Sequence, residues 1–403
     1  MRILGMISGT SHDAIDVAIV DFTATSDGVL TGRIEHCASV PYEAGLRGRL
    51  IAALPPAPVG LAVACELDTG IGQAFATAAS NAIAVHAGLP ASGLVDAICT
   101  HGQTVFHWVE DGTARGTLQL GQPAWIAEAT GLPVVSDIRA ADIAAGGQGA
   151  PLVPILDRAL LEPFRARGQR AAALNLGGIA NITVCAPAAD PVAWDIGPAN
   201  ALIDAVVTAA AEAPGTFDRH GALAAAGRVV PELLAELLAE PYYGLPPPKS
   251  TGKELFHLGH VEDAMRRAAV TPSLPDRVAT LTELTAQTVA GAVVAADLRV
   301  VVTSGGGVHN PVLMRRIAEL VPGVRVTDSG EFGVPPDSKE AVALALIGWA
   351  TLHSLPANVP SCTGASGPRV LGRVSAPPGG VLPQPRRRAS WPFGLTFSSD
   401  LPS

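Results

Sequence analysis

Two separated stretches of this chain share one design: an apolar run, a small polar turn carrying glycine, and a second apolar run. The first is 3-ILGMISGTSHDAIDVAIVDF-22, where Ser8-Gly9-Thr10-Ser11-His12-Asp13 divides residues 3–7 from residues 14–22. The second is 172-AALNLGGIANITVCAP-187. Each reads as a buried hairpin, and the echo predicts two related halves. A turn needs only Gly, Asn or Asp. The first turn adds hydroxyls and an acid, more hydrogen-bonding chemistry than chain reversal requires.

The length of 403 residues suits two domains of roughly 150–200 residues each. Apolar residues make up 48% and aromatics only 4%, which predicts cores of closely packed small aliphatic side chains. Strand-like runs at 95–99 and 132–135 alternate with helical patterns at 61–88, 229–241 and 279–298, an α/β pattern. Net charge is −9 with no basic run in the body of the chain, so neither nucleic acid nor an anionic membrane is an expected partner. The five cysteines show no CxxC and no metal spacing. The first apolar run stops at Ile7, short of a signal peptide, and no uninterrupted apolar segment reaches the ~18 residues of a membrane span. A cytoplasmic protein is expected. Residues 136–151 read as a crossing between domains. Residues 372–403, rich in Pro, Gly, Ser and Arg, read as a loosely ordered tail, with Trp391 and Phe393 solvated rather than docked.

A third glycine turn, Ser304-Gly305-Gly306-Gly307, joins Gly9-Thr10-Ser11 and Gly177-Gly178-Ile179-Ala180-Asn181. Glycine lets a backbone approach a ligand and aim its N–H groups at it, which suits phosphate. None of the three is a Walker loop, because the lysine is missing. For any one alone, an ordinary turn is the plainer reading; together they shift the balance. The third also imitates a dinucleotide fingerprint, with Asp328 as its ribose acid. However, Asn310-Pro311 reads as a helix N-cap and first helical residue, and too little chain follows for a dinucleotide domain.

In 194-WDIGPANALIDAVVTAAA-211, Asp195 reads as standing just before a helix N-terminus. It would there either satisfy orphan N–H groups or serve as an ionised base. His101, Gln103 and His107 cluster in 100-THGQTVFH-107, where loop hydrogen bonding is at least as good a reading as a ligand site. Asp337 and Glu340 fit a capping box. The stretch 244-GLPPPKSTGKELF-256 is either a substrate-side loop or a linker.

Several stretches together resemble the anhydro-N-acetylmuramic acid kinases, sugar kinases of the actin, Hsp70 and hexokinase-like superfamily. They are 5-GMISGTSHDAIDVAIVDF-22, 100-THGQTVFH-107, 117-TLQLGQPAWIAEATGLPVVSDIRAADIAAGGQGAPLVP-154, 174-LNLGGIANIT-183, 194-WDIGPANALID-204, 217-FDRHGALAAAGRVVPELL-234, 246-PPPKSTGKE-254, 304-SGGGVHNPVLM-314 and 337-DSKEAVALA-345. The resemblance implies a two-lobed actin/hexokinase-like (ribonuclease H-like) α/β fold with a central nucleotide cleft. Lobe I would be residues 1–139 plus 341–371, and lobe II residues 140–340. It implies ATP and Mg²⁺ as cofactors. ATP would be gripped by Gly9, Thr10, Ser11, His12, Asp13, Ala14, Ile15 and Asp16, with Asp13 facing the metal directly or through water. Gly177, Gly178 and Asn181 would meet the phosphates from the other lobe, and Gly305, Gly306, Gly307 and Asn310 the adenosine end.

The family's reaction adds water at the anomeric carbon of 1,6-anhydro-N-acetylmuramic acid while O6 takes the γ-phosphoryl group, giving N-acetylmuramic acid 6-phosphate for cell-wall recycling. By resemblance Asp195 would activate that water. His101, Arg139, Asp142 and Glu340 would face the sugar, with Arg139 gripping its carboxylate in a bidentate pair. A homodimer is the assembly considered. The chain departs from the family's Leu-Asp-Gly at His12-Asp13-Ala14, and from its Thr-Gly-Pro-Gly-Asn at Ile196-Gly197-Pro198-Ala199-Asn200. If Ala14 or Ala199 needed a positive φ, each would be strained. Rival readings are a kinase of another amino sugar and a nucleotide-switched actin-like or chaperone-like protein. A pure switch would have no need of Asp195, Arg139 and Glu340.

Overall fold

The computed structural model describes residues 1–25, 29–89, 92–210, 215–380, 390–391, 394–399 and 401. It is mixed α/β, in two compact units, Met1–Leu160 with Phe332–Ser403, and Leu161–Glu331.

The first unit is built on β1 (Arg2–Ser8), β2 (Ala14–Ala24), β3 (Val29–Pro41), β4 (Ala97–Glu110), β5 (Thr113–Leu120) and β6 (Val134–Ser136). β1, β2 and β3 form an antiparallel meander, β4 joins β1 in parallel and β6 joins β4 in parallel. β1 is buried on both faces. Ile3 and Ile7 point into a core with the helix Lys339–Leu352, and Leu4 and Met6 into a core with the helix Leu61–Ala87. That is the period-two logic of a central strand. Gly5 is required here, because a Cβ would lie 2.0 Å from the carbonyl oxygen of Ala341 on the packed helix.

The second unit repeats the plan with β7 (Ala171–Leu176), β8 (Ile179–Cys185), β9 (Val192–Pro198), β10 (Val300–Ser304) and β11 (Arg325–Asp328). β7, β8 and β9 form the meander, and β10 and β11 continue from β7 in parallel. The strand order β11-β10-β7-β8-β9 matches β6-β4-β1-β2-β3, so the echo between the two opening hairpins extends to whole sheets. The helix Leu274–Ala295 is apolar and long enough to cross a membrane, yet it is a core helix: Leu281 and Leu284 pack in one cluster, Ala286 and Val293 in another.

Two expectations are corrected. Residues 140–160 and 332–340, assigned above to the second lobe, pack with the first unit, where Leu152, Leu156, Leu160 and Val334 join its core. The tail is not uniformly loose. Arg373–Ser375 forms β12 on the edge of β6, and Gly394–Ser399 forms β13, parallel to β3 on the opposite edge. Trp391 is docked: its Nε1 donates to the Pro356 carbonyl at 2.7 Å and its ring sits 5.8 Å from that of Trp349. Phe393 lies outside the described residues.

Candidate functional site

The turn between β1 and β2 is held from beneath. Gln103 is fully buried; its Oε1 accepts from Ser8 Oγ at 2.6 Å and its Nε2 donates to the Gly9 carbonyl at 3.2 Å. Arg47 Nε donates to the His12 carbonyl at 2.9 Å, and Ser11 Oγ donates to Asp13 Oδ1. A Cβ on Gly9 would approach only Ser11 Oγ, at 4.0 Å, and Gly9 has no left-handed backbone. Neither packing nor conformation demands glycine there. Its missing side chain leaves backbone accessible, as a phosphate-gripping turn requires. The left-handed residue is His12, at φ 54°, a conformation that costs a non-glycine residue about 1 kcal/mol. Ala14 has no positive φ and opens β2, with Ile15 buried and Asp16 half-buried behind it.

Acids gather near this turn. Burial pushes the Asp16 carboxyl above its ordinary range; Asp13 and Asp337 push the same way, and a hydrogen bond from Ser39 opposes them. Burial likewise raises Glu340, with Asp16 adding to it and Arg139 and Lys339 opposing. The helix is capped at Ser338 rather than at Asp337, and Ser338 makes no side-chain cap bond. Glu340 makes no hydrogen bond among the described residues. A cation nearby would relieve carboxylates raised by burial and by neighbouring acids. Among the described residues no three His, Cys, Asp or Glu side chains form a metal-holding group. A magnesium ion taking one or two carboxylates, with water and phosphate completing its shell, would need no such group.

Arg139, His101 and Asp142 form a second constellation in the same unit, with roles that differ from those expected. Arg139 Nε donates to His101 Nε2 at 2.8 Å, and Arg139 Nη1 donates to the Gly149 carbonyl at 2.6 Å. His101 Nδ1 meets the Gly102 carbonyl at 3.0 Å, so both ring nitrogens are occupied. Burial, then the Arg139 charge, push His101 down to about 3. His101 thus positions Arg139 and does not itself offer a free nitrogen to a ligand. Asp142 is fully buried and accepts from Asn358 Nδ2, Thr363 Oγ1 and the Gly149 N–H. It is a hub that fixes the loop beneath Arg139, not a ligand contact. Arg139 itself stays partly exposed, with its Nη2 end unengaged among the described residues. A carboxylate would meet Nη1 and Nη2 end-on, because Nε is already used.

In the second unit, Asp195 lies within β9, paired with Asn181 of β8, and the following helix begins only at Asn200. The helix dipole is therefore not what holds its charge. Instead Asp195 Oδ2 accepts from Ser250 Oγ at 2.9 Å and from the Thr251 N–H at 3.0 Å, and Oδ1 has no partner among the described residues. Burial raises the carboxyl, the bonds from Thr251 and Ser250 oppose this, and nearby Glu254 pushes upward again. The main chain of Asp195 is clamped too. Its N–H donates to the Lys249 carbonyl at 3.0 Å, and its carbonyl accepts from Tyr242 Oη at 2.8 Å. The 244–256 stretch is thus the support of Asp195, not a linker. The sequence marked the segment by its Pro-rich start but gave no sign of its partner.

The turn between β7 and β8 seats the helix Asn200–Ala209: the N–H of Asn200 donates to the Gly177 carbonyl, and those of Ala199 and Ala201 to the Gly178 carbonyl. At Ser304–Gly307 the glycines have structural causes. Gly305 has φ 82°, and a Cβ there would lie 2.5 Å from Asn175 Oδ1. At Gly307 a Cβ would lie 2.6 Å from Leu176 Cβ, and only Gly306 faces open space. Asn310, expected at the adenosine end, uses its Oδ1 to cap Pro311–Leu320 by accepting from Val312 and Leu313 N–H. Asp328, the candidate ribose acid, accepts from the Gly330 N–H at 2.8 Å.

The family model for anhydro-N-acetylmuramic acid kinase matches residues 1–377. The chain belongs to this kinase family. The anhydro-N-acetylmuramic acid kinase of Streptomyces coelicolor is 52% identical over 376 residues, covering 93% of this chain and 94% of that one. The enzyme of the same name from Rhodococcus erythropolis is 49% identical over 384 residues, with coverage of 93% and 94%. Within the family frame, the alanines that depart from its pattern carry no left-handed strain: Ala199 has φ −110°. The family match ends before β13, the strand that extends β3.

Proposed function

We propose that this chain is an ATP- and magnesium-dependent kinase that opens 1,6-anhydro-N-acetylmuramic acid with water and phosphorylates O6, yielding N-acetylmuramic acid 6-phosphate and ADP in cell-wall recycling. The observation that carries the reading is Asp195: one carboxylate oxygen is held by Ser250 and Thr251, the other is unengaged, and burial raises the basicity of the group. Such a carboxylate is suited to take a proton from water.

In this reading Asp195 Oδ1 accepts the proton as the water oxygen bonds to the anomeric carbon. The bond from that carbon to the bridging oxygen breaks, its electron pair stays on O6, and O6 bonds to the γ-phosphorus as ADP departs. Arg139 would hold the lactyl carboxylate, and Glu340 would meet sugar hydroxyls. Asp13, directly or through water, would hold magnesium, which when bound neutralises phosphate charge. The test is ADP release by the purified chain with Mg-ATP, with and without the anhydro sugar. Release that depends on the anhydro sugar supports the reading; release indifferent to it, or dependent on a sugar with a free anomeric hydroxyl, overturns it.

A further inference from the structure

Lys253, in the 244–256 stretch, makes no bond to Asp195 among the described residues. Its neighbours on both sides are anchored. Upstream, Ser250 and Thr251 hold the Asp195 carboxylate, and Lys249 Nζ donates to the carbonyls of Tyr242 and Tyr243 at 2.9 and 3.1 Å. Downstream, the Phe256 N–H donates to the Gly252 carbonyl at 3.1 Å, and the Phe256 ring is buried. The Lys253 backbone is therefore fixed, while its ammonium makes no hydrogen bond or ion pair among the described residues. Its stem is directed onto the turn between β7 and β8: Cε lies 4.0 Å from the point a Cβ of Gly178 would occupy.

That turn has a property the packing does not explain. At Gly177 the nearest atom to an added Cβ is Asn175 Nδ2 at 3.4 Å, and at Gly178 it is Ala201 Cβ at 3.8 Å, both ordinary contacts. Neither glycine has a positive φ. Neither N–H donates to any group among the described residues, whereas both carbonyls are bound by the start of the helix Asn200–Ala209. Two open glycines whose N–H groups are unused among the described residues, with the Lys253 stem beside Gly178, form a surface for anionic oxygen. Acids are also near: Asp204, whose carboxyl burial raises to about 6 against the pull of Lys253, and Glu254. Without an anion at the turn, these set the local charge.

We propose that Lys253 is a phosphate-binding residue of this kinase that, with the N–H groups of Gly177 and Gly178, holds the terminal phosphoryl group of the nucleoside triphosphate. The terminal phosphate is singled out because the backbone that carries Lys253 also carries the clamp on Asp195, tying the cation to the reacting end of the site. The inference rests on the kinase reading above, but its test has an arm that needs no sugar.

The full chain is compared with Lys253→Met and Lys253→Arg by titration calorimetry with a non-hydrolysable ATP analogue and with ADP, both with magnesium, and by ADP-release kinetics. The Met variant should weaken the ATP analogue about tenfold while leaving ADP within twofold, and lower kcat about 100-fold, in the range of other lost transition-state contacts. KM for the sugar should stay constant, and Arg should restore most of the analogue affinity. A Met variant that binds the analogue as wild type does overturns the proposal, as does one that weakens ADP equally. If wild type shows no sugar-dependent ADP release but the analogue-specific loss is present, the sugar assignment fails and the phosphate role stands. Lys253 is exposed, so both variants should melt with wild type; should the Met variant not fold, Lys253→Gln takes its place, a reduced analogue-to-ADP ratio supporting the proposal and an unchanged ratio overturning it.

Discussion

Arg139 Nε donates to His101 Nε2 at 2.8 Å, and this bond fixes the protonation of both side chains. The imidazole accepts at Nε2, so its proton sits on Nδ1, facing the Gly102 carbonyl. Protonating it would place two cations in contact in a buried site. Burial, then Arg139, push His101 down to about 3. An unfolded histidine binds its proton near pH 6.5, so the unfolded chain holds one more proton between about pH 3 and 6.5. Stability contributed by His101 is therefore complete above pH 6.5 and falls as pH drops through that window, by about 1.4 kcal/mol per unit. His101→Gln removes this linkage. Urea unfolding at pH 7.5 and pH 5 should show wild type losing more stability on acidification than the variant; equal losses would remove the histidine from this role.

Asp195→Asn keeps an acceptor for Ser250 and Thr251 but cannot take a proton. Turnover should fall by about 10³-fold, within the usual range for a lost general base, while nucleotide affinity and melting temperature hold. Near-normal turnover would take Asp195 out of the mechanism. Because the carboxyl is raised by burial, the acid limb of kcat/KM should lie above the ordinary aspartate range, with rate lost as pH falls. Ser250→Ala deletes a bond that favours the charged form and should move that limb to higher pH.

Asp142→Ala leaves the Asn358 amide, the Thr363 hydroxyl and the Gly149 N–H without their shared acceptor in a buried site. A loss of about 3 kcal/mol or more in urea unfolding is expected from the unpaired groups. KM for the sugar should rise more than KM for ATP, because the Gly149 carbonyl that Asp142 fixes is also a partner of Arg139. A variant as stable as wild type would show that water replaces the carboxylate.

How legible these roles were follows from their reach along the chain. The hairpin turns and the paired halves could be read, because apolar run, polar turn and apolar run lie within some twenty residues. Asp195 could be picked out but not its support: Gly197-Pro198 looks like a helix start, yet β9 runs through Pro198, and the stabilising donors come from Ser250 and Thr251. Asp142 was misread because its partners, Asn358 and Thr363, lie more than two hundred residues away. Glycine at 305 and 307 looked like ligand chemistry. In fact Asn175 and Leu176 crowd the space their side chains would fill, a reason no local pattern carries.

The glycines themselves can be sorted by experiment. Gly178→Ala meets only ordinary contacts and a permissive backbone, so its melting temperature should match wild type while KM for ATP rises as the methyl group covers the turn. Gly305→Ala forces a Cβ within 2.5 Å of Asn175 Oδ1 at φ 82° and should cost about 2 kcal/mol in urea unfolding. If Gly178→Ala destabilised as much as Gly305→Ala, the distinction between an access glycine and a packing glycine would fail.

Deleting residues 378–403 removes β13 and Trp391 together. The edge of β3 then presents unpaired N–H and C=O groups, an invitation to edge-to-edge association. Phe22 loses the T-shaped contact with Phe397 at 6.4 Å, Trp349 loses its neighbour Trp391, and the Pro356 carbonyl loses its donor. Gly333, whose added Cβ would lie 2.6 Å from the Phe397 carbonyl oxygen, marks how closely β13 packs on the body. The residues named in the proposed chemistry lie outside the deleted segment. The truncated chain should unfold at lower urea, by about 2–4 kcal/mol for the apolar surface uncovered, and should scatter more light as concentration rises. Turnover per folded molecule should be unchanged. An unaltered midpoint together with an unaltered scattering profile would mean that β13 contributes nothing to holding the sheet.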